Sequence, residues 1–168
     1  MAKVAFVLAD DFEDSEFKVP YDKLKAAGHE IVVIGTDNGK TVKGKKGRET
    51  FTIEATPDDL DPSESDALVI PGGYSPDKLR THPAIVDFVT KIAAEDKPVA
   101  AICHAGSLLI EANLVDGRRV TSWPSIRTDL ENAGARWEDA QVVEDGNLIT
   151  SRKPDDLDAF TEALLKRL

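Results

Sequence analysis

The single cysteine of the chain, Cys103, lies where reactive thiols are typically found. The segment KPVAAICHAGSLL puts it directly after an apolar run and directly before a helical pattern. Ala101 and Ala105 are small, which the tight turn of a nucleophile elbow requires because it pushes the reactive atom out of the sheet. A lone cysteine is more often a small core residue, but this context favours a nucleophile. Because a helix N-terminus favours the thiolate, we expect a thiol pKa below the ordinary value of about 8.5.

Two further loops are expected to reach the same edge of the sheet. Pro71-Gly72-Gly73 ends a predicted strand, and the N–H of Gly73 could form an oxyanion hole with the N–H of His104, although an ordinary tight turn explains the motif equally well. Glu13 lies in the acidic loop after the first strand, and such loops are normally only solvated. If its carboxyl reaches the thiol, the two groups cannot both be charged cheaply. We therefore expect a protonated Glu13 that donates a hydrogen bond to the sulfur.

Short apolar runs alternate with helical patterns along the chain, which predicts a parallel sheet covered by helices on both faces. The predicted buried strands are residues 4–8 (VAFVL), 31–34 (IVVI), 67–70 (ALVI) and 99–102 (VAAI). The predicted helices are residues 15–27, with a kink or late start at Pro20, and then 83–95, 104–112, 124–132 and a final helix from Pro154. Residues 39–53 predict a β-hairpin at a sheet edge, and residues 140–143 and 148–151 predict a second hairpin around Asp145-Gly146.

Composition limits the classes of function. The 168 residues suit one domain, and the net charge of −10 opposes binding to nucleic acid or to an anionic membrane surface. No apolar run approaches the roughly 18 residues that a membrane-spanning helix needs. One cysteine cannot form an intramolecular disulfide, so a reducing, cytoplasmic location is expected. The lysines and arginine of residues 40–48 are interpreted as a solvated edge, and His29 and His82 lack the spacing of zinc ligands.

Several motifs occur in the order found in one known family. The segments EDSE, PGG, PVAAICHA and TSWP followed by NAG resemble the PfpI family of intracellular cysteine peptidases. That family belongs, with the ThiJ-like proteins, to the class I glutamine amidotransferase-like superfamily. The resemblance implies one PfpI-like domain over residues 1–168, folded as a flavodoxin-like three-layer α/β sandwich with a mainly parallel central sheet. It also implies homo-oligomers, either dimers or dimer-based hexamers.

The resemblance assigns a role to each candidate residue. It implies that Cys103 is the nucleophile and His104 its partner, that Glu13 hydrogen-bonds the sulfur, and that the N–H groups of Gly73 and His104 form the oxyanion hole. In the family's peptidases an acidic residue from a neighbouring subunit orients the histidine. Asp77 occupies that position here, where those peptidases have a glutamate.

The expected activity is cysteine-dependent hydrolysis or related carbonyl chemistry, with no organic cofactor and no metal. The substrate would be a peptide, a glycated protein or a small aldehyde, since peptidase, deglycase and glyoxalase-like activities all occur in the family. Two alternatives stay open. Cys103 could act as a redox sensor in a non-catalytic oxidative-stress protein, or the chain could be a chaperone-like oligomer with a vestigial site.

Overall fold

The computed structural model describes residues 1–168 and contains ten β-strands and six α-helices. The strands are β1 (Lys3–Val7), β2 (Glu30–Ile34), β3 (Thr41–Lys43), β4 (Thr50–Thr52), β5 (Ala67–Ile70), β6 (Val99–Ile102), β7 (Arg119–Val120), β8 (Arg136–Trp137), β9 (Val143–Asp145) and β10 (Leu148–Ser151). The helices are α1 (Asp14–Ala26), α2 (Ser75–Leu79), α3 (Pro83–Ala94), α4 (Gly106–Glu111), α5 (Arg127–Asn132) and α6 (Leu157–Leu165).

Six strands form one central sheet in the order β2-β1-β5-β6-β10-β9. Its neighbouring strands are parallel, except for the antiparallel pair β9 and β10. The four predicted apolar runs are β1, β2, β5 and β6, and β10 is a fifth parallel strand. Because the carboxyl ends of parallel strands meet at one edge, the loops after β1, β5 and β6 open on the same side of the molecule. This edge is where the sequence placed the candidate site.

Helices cover both faces of the sheet and complete a flavodoxin-like α/β sandwich. On one face, α1 and α6 pack apolar side chains against the sheet, among them Phe17, Leu24 and Phe160. On the other face, α3 and α4 do the same with residues such as Phe88 and Leu108. Continuous apolar strands are expected where both faces of a sheet are buried. None of the six helices combines the length and apolar character needed to cross a membrane.

Three local predictions differ from the structure. Helix α1 begins at Asp14 and continues through Pro20, so a late start is wrong; the helix buries Phe17, Pro20 and Leu24, and this burial offsets the missing proline N–H. The hairpin of β3 and β4 forms its own two-stranded sheet instead of extending an edge of the central one. The turn between β9 and β10 consists of residues 146–147, one position later than predicted.

The loop between β3 and β4 is tied to the start of α1 by a buried carboxylate. Asp14, which is 4% exposed, accepts hydrogen bonds from the backbone N–H groups of Lys46, Arg48 and Glu49, each at 2.9 Å. Burial acts to raise the pKa of Asp14, but these hydrogen bonds hold it below its usual value. The N–H of Lys45 also donates to the carbonyl of Phe12 at 2.9 Å. The hairpin is therefore held against the first loop of the candidate site.

Replacing Asp14 with asparagine is expected to lower the free energy of unfolding by about 2–4 kcal/mol, because the amide leaves at least one of the three N–H groups without an acceptor. Urea unfolding measures the change. Asp22→Asn is the matched control, since Asp22 lies on the same helix with an exposed side chain and pairs only with Lys18. Equal unfolding midpoints for the two variants would show that the Asp14 carboxylate does not hold the hairpin.

Candidate active site

Cys103 occupies the elbow that the sequence predicts. It is the first residue after β6, it begins a single 3₁₀ turn over Cys103–Ala105, and α4 follows from Gly106. Its φ of 62° lies in the left-handed region, which residues other than glycine rarely adopt and which is often found at functional sites. The side chain is 8% exposed. The thiol is thus held in a strained turn and is almost fully buried.

Two backbone N–H groups point at the sulfur, from the residues predicted to form the oxyanion hole. Hydrogen bonds from His104 and Gly73 act to lower the pKa of the Cys103 thiol. Gly73 has a φ of 76°, and a Cβ there would lie 2.4 Å from the nitrogen of Glu13 and 2.6 Å from the carbonyl oxygen of Asp11. Only glycine fits this position without moving the backbone. The structure therefore brings the two predicted donors together at Cys103.

The carboxyl beside the sulfur belongs to Glu16 and not, as predicted, to Glu13. Glu16 is fully buried, its Oε1 accepts the N–H of Gly72 at 2.9 Å, and its charge acts to raise the pKa of the neighbouring Cys103 thiol. A Cβ at Gly72 would lie 2.5 Å from Glu16 Oε1 and 2.8 Å from Cys103 Cβ, so the glycine allows this close approach. Oε2 of Glu16 is buried with no hydrogen-bond partner, which leaves it free to carry a proton.

Glu13 is directed away from the sulfur because it precedes the first helical residue. Its two oxygens pair with Lys45 at 2.9 Å and Lys46 at 3.0 Å, both from the β3–β4 loop. Burial acts to raise the pKa of Glu13, but the two lysines hold it below its usual value. Glu16 lies one turn further, on the face of α1 that faces the sheet. Glu13 is thus a charged partner of the hairpin, and Glu16 is the acid of the site.

Glu16 and Cys103 form a coupled pair that resists carrying two charges. Burial raises the pKa of Glu16 to about 8, with a contribution from the charge of Glu13. Burial and the neighbouring Glu16 raise the pKa of the Cys103 thiol to about 12. The expectation of a lowered thiol pKa is therefore wrong, because desolvation and the carboxylate outweigh the backbone N–H groups. The pair is uncharged below about pH 8 and carries a single negative charge above it.

His104 and Asp77 line one cavity of about 350 Å³ beside Gly73. Burial, together with the charge of Lys45, lowers the pKa of His104, and Asp77 acts in the opposite direction. The His104 ring makes no hydrogen bond within the chain, neither with Cys103 nor with Asp77. Within one chain, His104 and Asp77 therefore line the same cavity but do not form a hydrogen-bonded triad with the Cys103 thiol.

The opening of the site is flanked by two exposed aromatic side chains. Tyr74 is 63% exposed and Trp123 is 39% exposed. The Trp123 ring lies 6.4 Å from the His104 ring, and its backbone N–H donates to the carbonyl of Cys103 at 3.2 Å. The Nζ of Lys45 lies 6.0 Å from the centre of the Tyr74 ring. No group of three or more histidine, cysteine or carboxylate side chains is placed to hold a metal ion.

Sequence reasoning missed Glu16 and Lys45. For Glu16 a signal was present, since it shares a row of α1 with the buried Pro20 and Leu24 at spacings of four residues. A carboxylate on such a buried row needs a specific partner. For Lys45 no local signal existed, because its approach to the thiol depends on how the hairpin folds back over the first loop.

Comparison with known proteins finds one family over nearly the whole chain. Residues 2–167 match the DJ-1/PfpI family. General stress protein 18 of Bacillus subtilis is 49% identical over 167 residues, which cover 99% of this chain and 97% of that protein. Protein/nucleic acid deglycase 2 of Escherichia coli is 47% identical with the same coverage, and the putative cysteine protease YraA of Bacillus subtilis is 44% identical, covering 99% of this chain and 98% of that protein.

A solved structure shares both the fold and much of the sequence. A two-domain protein from Anabaena variabilis, with dj-1/thij/pfpi-like and ferritin-like domains, superimposes with a TM-score of 0.98 at 45% identity. The match covers 99% of this chain and 48% of the two-domain chain.

Proposed function

The chain belongs to the DJ-1/PfpI family, and on that premise we propose that it is a cysteine-dependent enzyme acting on reactive carbonyl groups, as a deglycase or glyoxalase-like hydrolase. One observation carries the proposal: the buried acid Glu16 lies beside the Cys103 thiol and is held by the N–H of Gly72, whereas the His104 ring makes no hydrogen bond with the thiol. The thiol's proton partner is thus a carboxyl group.

The chemistry begins with addition of Cys103 to the carbonyl carbon. The S–C bond forms as the carbonyl π bond breaks, and the thiol proton is transferred to the former carbonyl oxygen through Glu16. The N–H groups of Gly73 and His104 stabilise the negative charge that develops during this step.

For a 2-oxoaldehyde, the Glu16 carboxylate then moves a proton between two neighbouring carbons. It takes the proton from the carbon bonded to sulfur and delivers it to the adjacent ketone carbon, while the hydroxyl proton on the first carbon passes to the former ketone oxygen. The adduct thereby becomes a 2-hydroxy thioester. Water hydrolyses the thioester to a 2-hydroxy acid and releases the Cys103 thiol. No oxidant or cofactor is required for this sequence.

Peptide hydrolysis is the second candidate, favoured by the cavity that Asp77 and His104 share. In an oligomer, Asp77 of a neighbouring subunit would orient His104 as the base for Cys103.

The proposed assembly is a dimer or a dimer-based hexamer, which light scattering tests directly. The reduced thiol that either activity needs suits the cytoplasm, where we expect the enzyme to act.

A parallel substrate screen separates these functions. Wild type and Asp77→Asn are both expected to convert methylglyoxal and a glycated amine, whereas Cys103→Ala should convert neither, because it lacks the nucleophile. Product formation is followed by chromatography, with a fluorogenic peptide as the third substrate. Peptide cleavage that is lost in Asp77→Asn, without carbonyl turnover, would select the peptidase. Peroxide oxidation of Cys103 with no turnover at all would select the redox sensor.

A further inference from the structure

Lys45 is the cation that faces the reacting groups of the site. Its positive charge acts to lower the pKa values of Cys103, Glu16 and His104. The ammonium also lies 6.0 Å from the centre of the exposed Tyr74 ring, at the opening of the site. A group in this position meets the substrate as well as the thiol.

The positive charge around Lys45 is only partly neutralised. Lys45 and Lys46 share one carboxylate, that of Glu13, at 2.9 Å and 3.0 Å. Neither ammonium group therefore has a carboxylate partner of its own.

The Lys45 ammonium also has unused hydrogen-bond donors. It carries three N–H groups, and Glu13 is its one hydrogen-bonded partner within the chain. Its side chain is 35% exposed, so the remaining donors can reach a bound molecule. The chain as a whole carries a net charge of −10, which repels anions in general. The positive charge of Lys45 beside the thiol runs against that trend and can attract an anion.

We propose that Lys45 binds a carboxylate carried by the substrate, so that 2-oxoaldehydes bearing a carboxylate tail are preferred over neutral ones. This inference rests on the carbonyl chemistry proposed above and names its substrate class. The new contact is a charge-assisted hydrogen bond from the ammonium to the carboxylate at a partly buried position, and such bonds are about twice as strong as neutral ones.

The first test compares 4,5-dioxopentanoate with its methyl ester, which has the same reacting carbonyls but no charge. Wild type is expected to show a kcat/KM about tenfold higher for the acid than for the ester, as a contact of this strength implies. In Lys45→Met the ratio should fall to about one. Any effect of Lys45 on the thiol itself acts on both substrates and cancels in the ratio. Lys40→Met is the matched control, since its ammonium pairs with Asp10 and not with Glu13, and it should keep the wild-type ratio.

The second test does not depend on turnover. Iodoacetate and iodoacetamide alkylate the same thiolate, but only iodoacetate carries a carboxylate. The ratio of the iodoacetate rate to the iodoacetamide rate with Cys103 is expected to fall about tenfold in Lys45→Met and to stay unchanged in Lys40→Met. A fall here without conversion of either dioxopentanoate would retain the carboxylate site and reject the proposed enzyme activity. Unchanged ratios in Lys45→Met in both tests, or equal falls in Lys40→Met, would overturn the assignment to Lys45.

Discussion

Replacing Glu16 with glutamine is expected to lower kcat/KM for methylglyoxal by about 10²–10⁴-fold, the usual contribution of a positioned acid or base. The amide keeps an oxygen to accept the N–H of Gly72, so the loop after β5 stays in place. It cannot take a proton from the carbon bonded to sulfur. The loss therefore appears in proton transfer and not in the shape of the site.

The pH profile identifies the group responsible. Because the Glu16–Cys103 pair gains its single negative charge at about pH 8, wild-type kcat/KM should rise with pH to a plateau above that value. In Glu16→Gln this rise near pH 8 should be absent. Glu13→Gln is the control, since Glu13 contacts the hairpin lysines and not the sulfur; its kcat/KM should fall by less than about tenfold. A larger loss in Glu13→Gln than in Glu16→Gln would reverse the assignment.

The same substitution is expected to stabilise the protein at alkaline pH. A rise in the pKa of Glu16 from 4.5 to about 8 changes the free energy of unfolding with pH by at most about 5 kcal/mol. The folded state holds this proton more tightly than the unfolded chain does. The contribution of Glu16 to wild-type stability is therefore fully present below pH 4.5, and it is lost as the pH rises from 4.5 to about 8. Glutamine stays uncharged in both states and removes this loss.

Guanidinium unfolding at pH 5 and pH 8 measures the effect. Glu16→Gln should gain several kcal/mol over wild type at pH 8 and much less at pH 5. The comparison is repeated in the Cys103→Ala background, where no thiol titrates beside residue 16. A gain of the same size at both pH values would indicate better packing and not the loss of a buried charge. Together the two results would mean that Glu16 raises kcat/KM and lowers the free energy of unfolding.

Local patterns were sufficient to predict the fold and the elbow at Cys103. The apolar runs that became β1, β2, β5 and β6 are contiguous in sequence, and small residues flank Cys103. Such features depend only on near neighbours, so they can be read without knowing which segments meet. The pairing of β5 with β6, which brings Gly73 to Cys103, followed from the expected parallel sheet.

The identity of the acid could not be predicted with the same certainty, because it depends on where α1 begins. Glu13 and Glu16 are three residues apart in one acidic segment. The helix starts at Asp14, which leaves Glu13 in the loop and directs Glu16 toward the sheet. The thiol pKa was mispredicted for a related reason. The helix-start position of Cys103 is visible in the sequence, whereas its burial against Glu16 is a property of the folded chain.

The separate sheet of β3 and β4 has a consequence for how this enzyme could diversify. The hairpin pairs its strands with each other and is held to the rest of the protein by Asp14, by backbone hydrogen bonds with the first loop and by the buried side chain of Val42. The loop between β3 and β4, residues 44–49, carries Lys45 and can therefore change without altering the six strands that hold Cys103. If Lys45 binds the substrate's carboxylate as proposed, this loop sets the preference for charge, and other elements hold the groups that react with the carbonyl. Replacing that loop with the loop of a homologue should transfer the homologue's preference for charged or neutral substrates while leaving the residues around Cys103 unchanged.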